Sequence, residues 1–188
     1  MKIGRLEINF FNVIILYIMA NLKDCNKFNI HDDFYTRKKS WEQIQQFIPK
    51  DKVLWEFCLL NSNEQSKTNL IELGYQVVGD RTIDFLTTDF NGGDILITNP
   101  PFSKELKIPI LKKLSELDKP FILIMNSMNL FTKYFKEIFK DKEIYFIYPS
   151  SKINYDKYID GELQPTKNNT SFYSIYVCYK VIDRNVWI

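Results

Sequence analysis

The chain has 188 residues, of which 45% are hydrophobic and 15% aromatic, and its formal net charge is only +2. That length suffices for one sizeable core, and this composition excludes wholesale disorder. Three widely separated cysteines without a Cys-x-x-Cys, beside the single histidine His31, exclude a structural zinc site and a disulfide framework.

In chain order, residues 8–20 come first as a strongly apolar run, too short and too interrupted by Asn9 and Asn12 to span a membrane. Lys2 and Arg5 precede it as in a secretory signal, but the small-residue cleavage site is poorly formed. Residues 1–21 therefore read as an N-terminal extension outside the fold, with an added strand or a partner-binding element as the alternative. Residues 22–188 read as a single intracellular domain. Within it, residues 52–57 form a short apolar strand ending near Glu56, residues 64–73 a helix stopped by Gly74, and residues 75–80 a second strand. A third strand starts at Asp94, and a helix follows over residues 103–117. Residues 120–126 form another buried strand and residues 129–140 another helix. Residues 143–149 and 171–181 are two β-rich runs with no helix between them. Strands alternating with helices predict an α/β fold, a doubly wound, mostly parallel Rossmann-like sheet, and the closing pair predicts an antiparallel edge strand.

The third strand empties into Asn99-Pro100-Pro101-Phe102. Two consecutive prolines fix two backbone angles and remove two amide donors, so the chain leaves the sheet in one extended, rigid shape. The carboxyl ends of strands are where open α/β sheets bind ligands. A plain strand-ending turn is the competing reading, since Asn and Pro are common turn residues.

The four residues resemble motif IV of the S-adenosylmethionine-dependent amino-methyltransferases: Asp, Asn or Ser, then Pro-Pro, then an aromatic. With Asp33-Phe34-Tyr35-Thr36 upstream, Trp55-Glu56, Gly74-Tyr75-Gln76-Val77, Asp84-Phe85 and Ser171-Phe172-Tyr173-Ser174, the ordered set is similar to small viral and phage-type adenine-specific DNA methyltransferases over residues 32–181. The resemblance implies S-adenosylmethionine as the cofactor, the methyltransferase fold, and DNA as partner, with RNA as the alternative. It also implies no metal and no firm membrane association; oligomeric state is left open, and a viral protein would sit in the host cytoplasm or nucleus.

It further implies roles. Asn99 and the Pro100 carbonyl accept the hydrogens of an exocyclic amine, Pro101 holds the turn, and Phe102 stacks on the flipped base. On that account Asn99 and Phe102 face one solvent-accessible pocket. Asp33, Tyr35 and Thr36 cover the methionine end of the cofactor with Glu56 nearby, Asp80 holds the ribose hydroxyls, and Asp84 and Phe85 flank the cofactor's adenine. Structural alternatives stand beside these: Asp80 opening a turn, Phe85 in the core, and Asp33 capping the helix through Trp41.

The chain departs from the family at the cofactor loop. Leu60 and Ser62 stand where the family has glycines, which allow positive φ and close backbone approach. A non-glycine residue in that conformation costs roughly 1 to 2 kcal/mol, so weak S-adenosylmethionine binding by this chain alone is expected. Two other activities share the tetrad, methylation of a guanine amine in RNA or of a glutamine amide in protein. A third possibility is a non-catalytic binding or structural subunit.

With so small a net charge, a nucleic-acid partner has to be held by local basic surface. Candidates are Arg37-Lys38-Lys39, Lys104 with Lys107, and Lys152 with Lys157 and Lys167. Residues 155–170 read as a polar loop in which Tyr155 and Tyr158 are available to stack on bases.

Overall fold

The computed structural model describes residues 34–58, 64–80, 82–89, 92–159, 162–165 and 172–188. The chain separates into two units, residues 1–30 and 31–188, and the second holds every element described below. The segment at residues 1–21 and the positions Asp33, Leu60, Ser62 and Lys167 lie outside the described residues.

Short apolar runs bounded by turn residues become the strands of a seven-stranded sheet. These are β2 (Val53–Glu56), β3 (Gln76–Val78), β4 (Ile95–Thr98), β5 (Phe121–Asn126), β6 (Ile144–Tyr148), β9 (Ser174–Tyr179) and β10 (Val186–Trp187), in the order β10-β6-β9-β5-β4-β2-β3. Parallel pairing joins β3, β2, β4 and β5, and again β6 with β10, while β9 runs antiparallel to both β5 and β6. This is the doubly wound, mostly parallel α/β sheet expected from the sequence. The antiparallel strand, expected at the edge, is inserted third from it, because β6 and β10 continue the sheet beyond β9.

Both faces are covered, so side chains of successive strand residues enter two separate cores. Leu54, Ile95, Ile97, Ile122, Ile124 and Tyr176 pack on one face beneath α1 (Lys38–Glu42) and α2 (Gln65–Glu72), through Trp41 and Leu70. Trp55, Leu96, Phe121, Leu123 and Val177 pack on the other beneath α3 (Lys104–Leu117) and α4 (Lys133–Ile138), through Ile110, Leu111, Leu114 and Phe135. Glycine is required at Gly74 by backbone conformation and at Gly93 by close approach. Gly74 ends α2 at φ +83°, and a Cβ on Gly93 would stand 2.6 Å from that of Trp55, where the chain enters β4.

Two segments differ from the sequence reading. The helix expected over residues 129–140 is a 3-10 turn, Ser127–Phe131, followed by α4, because Thr132 breaks the run and caps the new helix by accepting from the Phe135 amide. The polar loop expected from residue 155 begins instead as strand β7 (Tyr155–Ile159), paired with β8 (Glu162–Pro165) and with the two-residue strand β1 (Tyr35–Thr36) in a second, three-stranded sheet. Tyr155 is fully buried and its hydroxyl hydrogen-bonds Ser174 Oγ at 2.7 Å, so it is a core residue and not a stacking platform for bases.

Candidate functional site at the carboxyl edge of the sheet

Strand β4 delivers Thr98 into Asn99, Pro100, Pro101 and Phe102 at the carboxyl edge, beside the tip of β2, where Glu56 pairs in register with Ile97. Pro100 and Pro101 are buried, which fixes the exit path. The turn is also held from α3, where the buried Lys107 donates to the Phe102 carbonyl at 3.0 Å. Lys107 is therefore a structural cation and not the phosphate contact suggested by its place beside Lys104.

Asn99 is oriented from a distant part of the chain. Its Nδ2 donates to the Phe34 carbonyl at 3.0 Å, so its Oδ1 faces the opposite way. That oxygen is buried and has no hydrogen-bond partner among the described residues. A buried acceptor left unsatisfied costs about 1 to 3 kcal/mol, and such groups persist where a ligand completes them.

The ring of Phe34 lies over the same motif. Its centroid is 5.0 Å from that of Phe102, and Tyr155 and Phe172 complete a four-ring cluster, 6.0 and 5.3 Å from Phe102. Phe102 and Asn99 are half-buried. Among the described residues, Phe34 packs its ring on Phe102 and engages the Asn99 amide with its carbonyl.

Glu56 is 1% exposed. Burial raises its carboxyl from 4.5 to about 7, against the opposing pull of the Thr98 and Ser66 hydroxyls and the backbone amides of Cys58 and Phe57. Its Oε1 accepts from the Cys58 amide at 3.2 Å, whereas Oε2 is buried without a partner among the described residues. Thr36, 2% exposed, likewise leaves Oγ1 unpartnered, while its carbonyl accepts from Asn69 Nδ2 at 3.0 Å. Tyr35, its neighbour in β1, pairs with Asp156 in register.

The other expected cofactor contacts are engaged locally. Asp80 lies exposed just past the end of β3, and its Oδ1 accepts from the Thr82 amide at 2.7 Å. Asp84 caps its own turn, accepting from the Leu86 amide and the Thr87 hydroxyl. Phe85 is 4% exposed and packs 4.3 Å from Phe57 and 5.6 Å from Trp55, centroid to centroid, as part of the core.

No protein-family model matches the chain, and no curated protein matches it. Among solved structures it is similar to a SAM-dependent O-methyltransferase from Thermotoga maritima, with 14% identity and a TM-score of 0.38, covering 78% of this chain and 65% of that one. It is also similar to the tRNA (m1A58) methyltransferase TrmI from Aquifex aeolicus, with 13% identity and a TM-score of 0.41, covering 76% of this chain and 68% of that one. The chain thus spans just under two thirds of the length of the Thermotoga protein.

Proposed function

We propose that this chain transfers a methyl group from S-adenosylmethionine to the exocyclic amine of adenine in DNA. The observation that carries the reading is the buried Oδ1 of Asn99, without a partner among the described residues, on an amide whose Nδ2 donates to the Phe34 carbonyl and which is followed by two prolines and an aromatic ring.

An adenine amine is a poor nucleophile because its lone pair is delocalised into the ring. Asn99 Oδ1 and the Pro100 carbonyl accept its two hydrogens, which favours a tetrahedral nitrogen and frees the lone pair. Because the amide is already oriented, this stabilisation needs no reorganisation at the moment of reaction. Phe102 offers the face on which the extruded base stacks. A base reaching that ring takes the place of the Phe34 side chain.

The residues present fit the cofactor at its methionine end. Glu56 Oε2 and Thr36 Oγ1 are buried without a hydrogen-bond partner among the described residues, and the α-amino group of S-adenosylmethionine is a donor that would complete them. When bound, the cofactor supplies an electrophilic methyl on a sulfonium. Asp80 remains the candidate for the ribose hydroxyls, whereas Phe85 is packed in the core and Asp84 caps its own turn.

The test is methyl transfer from isotopically labelled S-adenosylmethionine to unmodified DNA, RNA and protein in parallel. Label in DNA adenine supports the proposal. Label confined to RNA or protein moves the same chemistry to another amine, and no label in any of the three favours a non-catalytic subunit.

A further inference from the structure

Arg37 and Lys39 meet Lys152, more than a hundred positions away in sequence, around one cavity. Arg37, Lys39 and Gln43 from the first helical segment, with Ser151, Lys152 and Asn154 from the loop after β6, line a cavity of about 330 Å³. Arg37 is fixed as a wall of this cavity: its Nε donates to Asp156 Oδ1 at 2.6 Å and one terminal nitrogen donates to the Tyr155 carbonyl at 3.1 Å. Asp156 offsets the charge of Arg37, and Lys39 and Lys152 are the other two basic side chains of the lining. The Gln43 and Asn154 amides and the Ser151 hydroxyl add hydrogen-bond donors.

Two residues lining the cavity adjoin, in sequence, segments that pack on the tetrad. Arg37 immediately follows Thr36, in the segment that brings Phe34 onto Asn99 and Phe102, and Asn154 immediately precedes Tyr155, whose ring touches that of Phe102. On its other side stands an aromatic surface. Lys152 Nζ lies 5.0 Å from the ring centroid of Tyr173, which is 68% exposed. The Tyr173 carbonyl accepts from the Ser127 amide, which ties it to the turn bearing the exposed Met128 and Phe131. Cations beside exposed aromatic faces are the arrangement that holds a single nucleic-acid strand, with phosphates meeting the charges and bases meeting the rings. An acidic peptide would match the charges but leave the rings without planar partners.

We propose that the Arg37–Lys39–Lys152 cavity seats a phosphodiester of the DNA strand that presents the target base, with a neighbouring base stacked on Tyr173. This deepens the proposed function and rests on it only for the identity of the strand as substrate. Each phosphate contact on a single strand contributes about −0.7 to the slope of log K against log salt.

The experiment is fluorescence anisotropy of a labelled single-stranded DNA oligonucleotide with the full chain across a series of sodium chloride concentrations. Lys39→Gln with Lys152→Gln should weaken binding roughly tenfold and flatten the slope by about 0.7, the share of one phosphate. Lys52→Gln with Lys140→Gln, exposed lysines away from the cavity, should change neither. Tyr173→Ala should weaken binding and leave the slope unchanged, because stacking releases no counterions. An unaltered affinity and slope in the cavity double variant overturns the proposal, as does failure of the unmodified chain to bind the strand. Methyl transfer is read separately, so a chain that binds DNA through this cavity but transfers no methyl group upholds the inference and removes the catalytic reading.

Discussion

The side-chain amide of Asn99 donates to the main-chain carbonyl of Phe34 at 3.0 Å, across 65 positions of sequence, and this bond decides which way the amide oxygen faces. One residue thereby does two things: the Phe34 backbone orients the acceptor, and the Phe34 ring covers the aromatic platform beside it.

These two roles separate in Phe34→Ala, which keeps the carbonyl and removes the ring. The variant should lose about 2 kcal/mol of stability, as expected for truncating a half-buried aromatic, and should show a lower KM for DNA with little change in kcat. Steady-state kinetics checks this. A higher KM would mean that the ring belongs to the base-binding surface rather than covering it.

Glu56 makes stability depend on pH in a defined direction. Burial raises its carboxyl from 4.5 to about 7, so the folded protein retains a proton that the unfolded chain releases. The contribution is fully present below pH 4.5, is lost as pH rises through about 7, and amounts to at most about 3 kcal/mol. Urea unfolding at pH 5 and pH 8 should show this fall in the unmodified chain and a much smaller one in Glu56→Gln. Parallel pH dependence in the two proteins would contradict the assignment.

Affinity for a cofactor with an ammonium end should follow the same titration. The ionised Glu56 carboxylate attracts that group, so S-adenosylmethionine should bind more tightly as pH rises through about 7, and the gain should vanish in Glu56→Gln. Calorimetry across pH 6 to 8 reads it directly. An equal pH response in the variant would place the ammonium elsewhere.

Much of this arrangement is legible in the sequence, because the continuous apolar runs through Leu54-Trp55, Ile95-Leu96 and Ile122-Leu123 mark strands buried on both faces, whose successive side chains enter the two cores. The placement of Asn99 at a strand tip follows from the apolar run before it and the two prolines after it. Long-range features are not written this way. That Phe34 closes on Asn99, or that Lys107 turns inward to the Phe102 carbonyl, depends on the tertiary meeting of separate elements. Tyr155 was misleading for a related reason. Asp156 and Lys157 make its strand look like a polar loop, yet only the face carrying Tyr155 enters the core, and the hairpin partners supply the rest. The split helix carried a readable signal in Thr132, a residue that favours the N-cap.

The cofactor loop is tested by restoring Leu60→Gly with Ser62→Gly. Glycine at both positions removes the roughly 1 to 2 kcal/mol that positive φ costs any other residue, and should strengthen S-adenosylmethionine binding at least tenfold over the unmodified chain in calorimetry. Tight binding by the unmodified chain would show that another backbone path serves in place of the glycines.

The central claim is that the Asn99 amide oxygen accepts a hydrogen bond from the target amine during methyl transfer. The measurement is mass-spectrometric quantification of N6-methyladenine in single-stranded DNA, with the unmodified chain compared with Asn99→Ala and with cofactor affinity measured on both. The account predicts methylation that falls roughly 10²- to 10³-fold in the variant, as for loss of one preorganised transition-state hydrogen bond, while cofactor affinity stays within about twofold. Equal losses in methylation and cofactor binding, or methylation undiminished in Asn99→Ala, would contradict it.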